Sequence, residues 1–224
     1  MLDDDLVGVY VHGSLALGAY DPDDSDVDFL VATERDLDPR TVERLAALHR
    51  DLGDRLDGSY LPRDVFRRHS PERVMHPHVE SYVEPELKVD HHGGETVIYR
   101  YVLRKCGVVL TGLPPCDLID PVSADELRWG VRHILETWWR PMLEQPPVRL
   151  LDTRYRAYAV VTMCRMRFTF ATADVVSKPS AAQWALTHVE PRWHDLIARA
   201  AARDEVGYEE TVAFVLETLE SASC

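Results

Sequence analysis

Two aspartates with one residue between them, Asp26 and Asp28, begin an apolar run that reads DVDFLVA. Residues two apart on a strand project to the same face, so both carboxylates can converge on one hard cation. Magnesium prefers oxygen ligands and keeps coordination positions open for phosphate oxygens. The pair therefore predicts a magnesium site that can act on a phosphate-bearing substrate.

A Gly-Ser turn, formed by Gly13 and Ser14, precedes these aspartates and follows the apolar run LVGVYV. Such a turn at the start of a helix offers backbone N–H groups and a hydroxyl to phosphate oxygens. Gly13 and Ser14 are therefore predicted to bind a nucleotide.

Chemistry of this kind usually needs a third carboxylate, which either holds a second metal or takes the proton from an attacking hydroxyl. Asp57, in the next proposed strand, is the best candidate. In-line attack on an α-phosphate needs little covalent help, so metal charge and positioning should supply most of the acceleration. We predict Asp26, Asp28 and Asp57 as the catalytic and metal-binding set, with Asp57 as either the base or mainly a metal ligand.

A calcium loop is an alternative for the acidic turn, because Asp21, Asp23 and Ser25 occupy ligand-like positions one, three and five. The sixth position of such a loop must be Gly and is Asp26, and the twelfth must be Glu and is Ala32. The spacing excludes this alternative.

Four histidines, His76, His78, His91 and His92, form the second alternative, a zinc site. They have no matching Cys and no HExxH spacing, which argues against zinc. Solvated or acceptor-lining histidines fit the pattern better.

Local patterns around these residues predict a strand over 6–11, a strand over 26–32, a helix starting at Pro39 and a third strand near 57–61. Two β-branched runs, 96–103 and 108–110, are typical of further strands. The segment 111–122, rich in Pro and Gly, is typical of a domain connection. Beyond it, Ser123 with Glu126 has the spacing of a capping box, and helices are predicted over 154–172, 180–188, 193–202 and 208–219.

The predicted fold class is therefore α+β, with an N-terminal mixed-sheet domain over 1–115 and a C-terminal helical bundle over 120–224. A chain of 224 residues with 46% hydrophobic composition can bury such cores. No run approaches the roughly 18 apolar residues that a membrane helix needs, and the N-terminus is acidic, so we expect a cytoplasmic protein without a membrane partner.

The formal net charge of −13 argues against binding to a nucleic-acid backbone, which gains affinity from Lys and Arg. It suits a cationic ligand, although solubility alone accounts for it equally well. Cys106, Cys116, Cys164 and Cys224 form no CxxC pair, so reduced thiols are expected.

The stretch HGSLALGAYDPDDSDVDFLV resembles the signature of polymerase-beta-type nucleotidyltransferases. Over nearly its full length the chain resembles the streptomycin/spectinomycin aminoglycoside adenylyltransferases, which carry a helical C-terminal domain. The stretch YAVVTMCRMRFTFATADVVSKPSAAQWAL is similar to the family segment in which an Arg and, thirteen residues later, a Lys contact the ATP phosphates. The resemblance places these roles on Arg165 and Lys178.

The same resemblance implies that Ser14 and Ser25 join the nucleotide site and that Asp26 and Asp28 bind magnesium. Asp57 falls where the family has a catalytic Glu that is one methylene longer. In the family, acceptor recognition uses a Trp and acidic or amide groups of the helical domain.

Trp139 matches that Trp, but Tyr155 and Tyr158 stand where the family has an Asp and a polar residue. Together with Glu144 and Asp152 they are candidate acceptor-lining groups, because carboxylates and aromatic faces both stabilise ammonium groups. Core or loop packing would explain each of them equally well. Trp138 and Trp139 cannot face the same side of a helix, so at least one of the two is expected in the core.

The predicted function is the magnesium-dependent transfer of AMP from ATP to a hydroxyl of a small cationic acceptor, such as an aminoglycoside or aminocyclitol, with release of pyrophosphate. The choice of ATP comes from the resemblance alone. Alternatives are a protein hydroxyl or another metabolite as acceptor, or a nucleotide-binding module without catalysis.

Overall fold

The computed structural model describes residues 2–53, 55–70, 72–73, 75–80, 87–91, 93–144 and 148–223. The chain divides into two compact units, Met1–Val122 and Ser123–Cys224. The predicted domains, 1–115 and 120–224, differ from these units in the placement of 116–122.

The first unit is built on one six-stranded sheet in the order β5-β4-β3-β2-β1-β6. Strands β2 and β3 are parallel, and the other neighbouring strands are antiparallel, so the sheet is mixed. The strands are β1 Leu6–Val11, β2 Val27–Thr33, β3 Leu56–Pro62, β4 Met75–Val79, β5 Leu87–His91 and β6 Val108–Gly112.

In the part of this unit that the structure describes, the sheet is accompanied by helices α1 Gly13–Ala16, α2 Pro39–Leu52, α3 Arg63–Arg67, α4 Gly93–Cys106 and α5 Pro115–Leu118. Alternate strand residues enter two separate apolar clusters, because successive side chains point to opposite faces. Phe29 and Val31 pack with Leu45 of α2, whereas Leu30 and Ala32 belong to the cluster that contains residues of α3, α4 and α5. The strand that carries Asp28 is thus covered on both faces.

The predicted strand over 96–103 is wrong, because these residues lie inside α4. Their β-branched and aromatic composition favours a strand locally. However, the buried residues Thr96, Val97, Arg100 and Leu103 recur at helical spacing, so burial of one helix face outweighs the local preference.

The second unit is helical. Its helices are α6 Ala124–Ile134, α7 Arg140–Glu144, α8 Thr153–Thr172, α9 Lys178–His188, α10 His194–Ala201 and α11 Tyr208–Ser223, with a turn of π-helix over Leu135–Trp139. The predicted capping box is confirmed: the Glu126 N–H donates to the Ser123 hydroxyl, and the Glu126 carboxylate accepts from the Ser123 N–H.

The predicted fold class, a mixed sheet with flanking helices followed by a helical region, is confirmed. Among the residues that the structure describes, no helix has the length and apolar character that crossing a membrane requires.

Candidate active site

The turn between β1 and α1 depends on a glycine. Gly13 has φ +57°, and a Cβ at this position would lie 1.8 Å from Oδ2 of Asp28. Any side chain would therefore collide with that carboxylate as well as strain the backbone. Gly13 thus lets the Asp28 carboxylate lie directly against the backbone of the predicted phosphate-binding turn.

The hydroxyl of Ser14 is the second feature of this turn. Its Oγ is buried and has no hydrogen-bond partner within the described part of the chain. A buried polar atom without a partner costs about 1–3 kcal/mol. The hydroxyl is therefore suited to a hydrogen bond with a ligand.

Asp28 and Asp57 lie directly opposite each other on the parallel pair β2 and β3. Neighbouring strands are about 4.8 Å apart, and paired residues of a parallel ladder share a face. Like charges in this position destabilise a sheet unless something compensates them. A cation held by both carboxylates would supply that compensation.

Asp26 and Ser25 precede β2. The Ser25 hydroxyl accepts a hydrogen bond from the Asp21 N–H at 3.0 Å, and the Ser25 N–H donates to the Asp21 carbonyl at 2.7 Å. Ser25 therefore closes the acidic turn that delivers Asp26 to the strand. Its nucleotide-binding role stays a prediction.

The residues of this end of the sheet fit a magnesium ion in three respects: an opposed carboxylate pair, a glycine cradle beside Asp28 and the unpartnered hydroxyl of Ser14. Within the described ranges, no group of three or more His, Cys, Asp and Glu residues is placed to hold a metal. Asp26 as a third ligand therefore stays a prediction, and the same finding gives no support to a histidine zinc site. His92 of that alternative lies outside the described residues.

One histidine does contact the predicted acids. His78 lies on β4, with its Nε2 atom 3.7 Å from Oδ1 of Asp57 and its Nδ1 atom 2.9 Å from the Ser59 hydroxyl. The sequence analysis considered His78 as a zinc ligand and favoured a solvated or acceptor-lining role. Its contact with Asp57 depends on strand register, which no local pattern reveals.

The predicted acceptor-binding residues of the helical unit form an aromatic cluster. The ring centroids of Trp139 and Tyr155, and of Trp139 and Tyr158, are 6.4 Å apart, and the two tyrosine rings are 5.4 Å apart. Trp139 is only 2% exposed, whereas Trp138 is 42% exposed. Trp139 is therefore the core residue of the pair, and any acceptor contact of its own stays a prediction.

Lys178, one of the two predicted phosphate-binding cations, lies beside this cluster. The Lys178 ammonium lies 4.2 Å from the ring centroid of Tyr158. Arg165 follows Tyr158 by seven residues, two turns along α8, and so shares its face. Arg165 is half-buried and makes no hydrogen bond or ion pair with the described residues. Tyr158 therefore contacts Lys178 and lies on the helix face that carries Arg165.

Asp152 has a structural contact that the sequence analysis did not assign. Its Oδ1 caps α8 by accepting from the N–H groups of Arg154 at 2.7 Å and Tyr155 at 3.1 Å. Arg149, which the sequence analysis missed, lies over the rings of Trp138 and Tyr155. An Asp before a helical stretch is a recognisable N-cap signal, whereas the position of Arg149 follows only from packing. Glu144 is the last residue of α7.

The structure therefore gathers the predicted residues into two sets, each within its own unit. Gly13, Ser14, Asp28 and Asp57 belong to one end of the sheet. Trp139, Tyr155, Tyr158 and Lys178 belong to the aromatic cluster.

Both units of the chain match families of known proteins. Residues 2–83 match the nucleotidyltransferase domain, and residues 117–222 match the C-terminal domain of aminoglycoside adenylyltransferases. An aminoglycoside (3'') (9) adenylyltransferase of Klebsiella pneumoniae is 24% identical and covers 98% of this chain and 85% of its own length. A spectinomycin 9-adenylyltransferase of Campylobacter jejuni is 22% identical over 89% of this chain and 78% of its own.

A solved structure shares the fold. Spectinomycin adenyltransferase AAD(9) from Enterococcus faecialis, with ATP and spectinomycin, superposes with a TM-score of 0.80 at 14% identity and covers 100% of this chain and 94% of that one. The two matched models leave only 84–116, the N-terminal residue and the last two residues uncovered. With the glycine turn and the opposed aspartates in place, the chain belongs to the aminoglycoside adenylyltransferase family of the nucleotidyltransferase superfamily and is an enzyme of that class.

Proposed function

We propose that this enzyme transfers AMP from ATP to a hydroxyl of a small cationic acceptor of the aminoglycoside or aminocyclitol class and releases pyrophosphate. The observation that carries the proposal is the opposed pair Asp28 and Asp57, with the Asp28 carboxylate lying on the Gly13 turn. This arrangement joins a cation-binding pair of acids to a phosphate-binding turn. The acceptor class is supported by the names of the matched relatives and by the net charge of −13.

Asp28 and Asp57, with Asp26 as the third carboxylate, would hold magnesium. When bound, the ion supplies positive charge that offsets the charge of the phosphate groups. Ser14 would donate its hydroxyl hydrogen to a phosphate oxygen, and the fixed backbone of Gly13 would keep that turn close to the nucleotide. Ser25 serves this site by closing the preceding turn.

Arg165 and Lys178 would bind the ATP phosphates through charge-assisted hydrogen bonds. The half-buried guanidinium of Arg165, without a partner among the described residues, supports this role. Both side chains would also stabilise the negative charge that collects on pyrophosphate as it leaves.

Asp57 would accept the proton of the acceptor hydroxyl. As the acceptor oxygen forms its bond to the α-phosphorus, the bond from that phosphorus to the bridging oxygen breaks and pyrophosphate leaves. The Asp57 carboxylate is well placed for this because it is partly exposed and adjoins Asp28. General-base assistance of this kind typically contributes about 10²- to 10⁴-fold.

The acceptor would be bound by the helical unit. Tyr155 and Tyr158 offer ring faces to ammonium groups, and Asp152 offers the carboxylate oxygen that does not cap α8. Trp139 would support the two tyrosine rings from the core side.

The test is pyrophosphate release by the full chain with ATP and magnesium across a panel of aminoglycosides and aminocyclitols. Mass spectrometry should detect the mass of one added AMP on at least one panel member, and Asp28→Asn should remove that product. ATP binding without any AMP adduct across the panel would contradict the acceptor class. An adduct formed equally well by Asp28→Asn would contradict the assigned site.

A further inference from the structure

His78 lies directly opposite Ser59 in the antiparallel pair β3 and β4. Asp57 and Ser59 are two residues apart on β3 and therefore share a face. A residue opposite Ser59 is also the diagonal neighbour of Asp57, within reach of a long or aromatic side chain. Strand register thus aims the imidazole of His78 at both residues.

Two successive contacts link the buried Ser59 to His78 and His78 to Asp57. The Ser59 hydroxyl is fully buried and lies 2.9 Å from Nδ1 of His78. His78 is buried as well, and its Nε2 atom lies 3.7 Å from Oδ1 of Asp57, whose side chain is 22% exposed. Of these three side chains, that of Asp57 is the most exposed to solvent.

The tautomer follows from these partners. A carboxylate accepts hydrogen bonds, so the nitrogen that faces it must carry the hydrogen. With the hydrogen on Nε2, Nδ1 becomes an acceptor and the Ser59 hydroxyl becomes its donor. The Asp57 carboxylate, which can only accept, therefore favours the form of the ring that donates towards it, and the Ser59 hydroxyl can donate to Nδ1 at 2.9 Å.

We propose that His78 is a positioning residue that orients the Asp57 carboxylate for catalysis in the Nε2–H form, with the Ser59 hydroxyl fixing the orientation of the ring through Nδ1. The inference rests on the proposed function, in which Asp57 accepts the proton of the acceptor hydroxyl. The distance of 3.7 Å exceeds a hydrogen bond, and contacts of this kind commonly tighten once substrate is bound. A short Asp side chain has two rotatable bonds, and an oriented donor at one oxygen limits its rotation.

The arrangement is tested first without turnover. In ¹⁵N-labelled full-length enzyme at pH 8, long-range proton–nitrogen correlation spectra should show the Nε2–H tautomer for His78, assigned by loss of its signals in His78→Gln. Ser59→Ala should move the Nδ1 signal, because it removes the hydroxyl at that nitrogen, and Asp57→Asn should move the Nε2 signal. His76, on the same strand, is the internal control and should be unaffected by Ser59→Ala. An Nδ1–H ring in the wild type, or an unmoved Nε2 signal in Asp57→Asn, would overturn the proposal.

Kinetics then separate positioning from packing. His78→Leu should lower kcat for AMP transfer by about 10- to 100-fold, the usual effect of losing a supporting hydrogen bond, with KM for ATP and acceptor within about twofold. His78→Gln, which can donate from a similar position, should recover most of that loss. Wild-type kcat in His78→Leu, or a raised acceptor KM at unchanged kcat, would contradict the positioning role. If the wild type transfers AMP to no acceptor, the proposed function fails, while the tautomer measurement still decides the arrangement.

Discussion

Two carboxylates of this enzyme are about equally exposed but have opposite surroundings. The side chain of Asp57 in the sheet is 22% exposed and stands opposite another carboxylate, Asp28. The side chain of Glu217 on α11 is 20% exposed and accepts hydrogen bonds from Arg167, from Arg192 and from the indole of Trp193.

This difference separates a charge that stabilises the fold from a pair of charges that is predicted to act in catalysis. Burial alone would raise the pKa of Glu217, but the hydrogen bonds from Trp193, Arg167 and Arg192 outweigh it and lower the pKa. The charge of Glu217 is therefore compensated inside the helical unit and stabilises it. The opposed aspartates instead place two like charges side by side, which is expected to cost stability, and they are the pair that we propose for catalysis.

The largest expected effect is at Asp28, which stands opposite Asp57 in the sheet. Asp28→Asn should lower AMP transfer by about 10³-fold or more, because one carboxylate of the pair is lost. It should leave the thermal midpoint of the ligand-free protein unchanged or slightly raised, since a like-charge repulsion disappears with it. Steady-state rates and thermal melts measure the two effects. The matched control is Asp23→Asn in the exposed acidic turn, and near-wild-type transfer by Asp28→Asn would show that the pair is not catalytic.

A pair of glycine substitutions can separate the effect of backbone strain from that of contact with Asp28. Gly13→Ala and Gly18→Ala both place a side chain at positive φ, +57° and +67°, which should cost each variant about 1–2 kcal/mol of stability. Only at Gly13 would the new Cβ collide with Asp28, since nothing lies within 4 Å of a Cβ at Gly18. Transfer should fall about 10²-fold in Gly13→Ala alone. Equal rates of AMP transfer for the two variants would show that the close contact between Gly13 and Asp28 is not needed for activity.

Glu217 should show the reverse behaviour to Asp28. Glu217→Gln should lower the free energy of unfolding by about 2 kcal/mol, because Arg167 and Trp193 lose a charged acceptor. Its kcat and KM at a temperature where it stays folded should match those of the wild type. Glu220→Gln, at an exposed position of the same helix, controls for the loss of charge. A large fall in kcat with unchanged stability would remove the distinction between the two carboxylates.

Lys178 extends the functional side of the comparison to the helical unit. Lys178→Ala should weaken ATP binding about tenfold, the effect of about 1.4 kcal/mol, and weaken acceptor binding less. Calorimetric titration with each ligand measures both affinities, and Lys88→Ala at an exposed site of β5 is the control. Weaker acceptor binding with unchanged ATP affinity would move Lys178 from the phosphates to the acceptor.

The smallest expected effect is the pH dependence of the stability that Glu217 contributes. The pKa of Glu217 is lowered in the folded state, so its charge contributes stability above the unfolded value of about 4.3. That contribution is lost as pH falls through the lower folded pKa. Denaturant unfolding of the wild type and Glu217→Gln should therefore differ by a constant amount near neutral pH and converge in acid. A difference that persists unchanged at the lowest pH would contradict the assigned charge interaction.

Signals within a few residues predicted much of the fold. The strand over Leu6–Val11, the glycine turn after it and the capping box at Ser123 each follow from adjacent residues. The strand over 96–103 failed because packing of α4 against the sheet overrode a local preference. Of the two neighbouring tryptophans, only the structure shows that Trp139 is the buried one.

The candidate site divides in the same way. The spacing of Asp26 and Asp28 and the Gly13–Ser14 turn predicted the chemistry that we propose, because residue type and strand periodicity are local properties. Only the tertiary structure set Asp57 opposite Asp28, His78 opposite Ser59 and Glu217 among donors 24 and 50 residues away along the chain. The physical reason is that register and side-chain packing join residues distant in sequence, and their energies depend on the whole core rather than on any one segment.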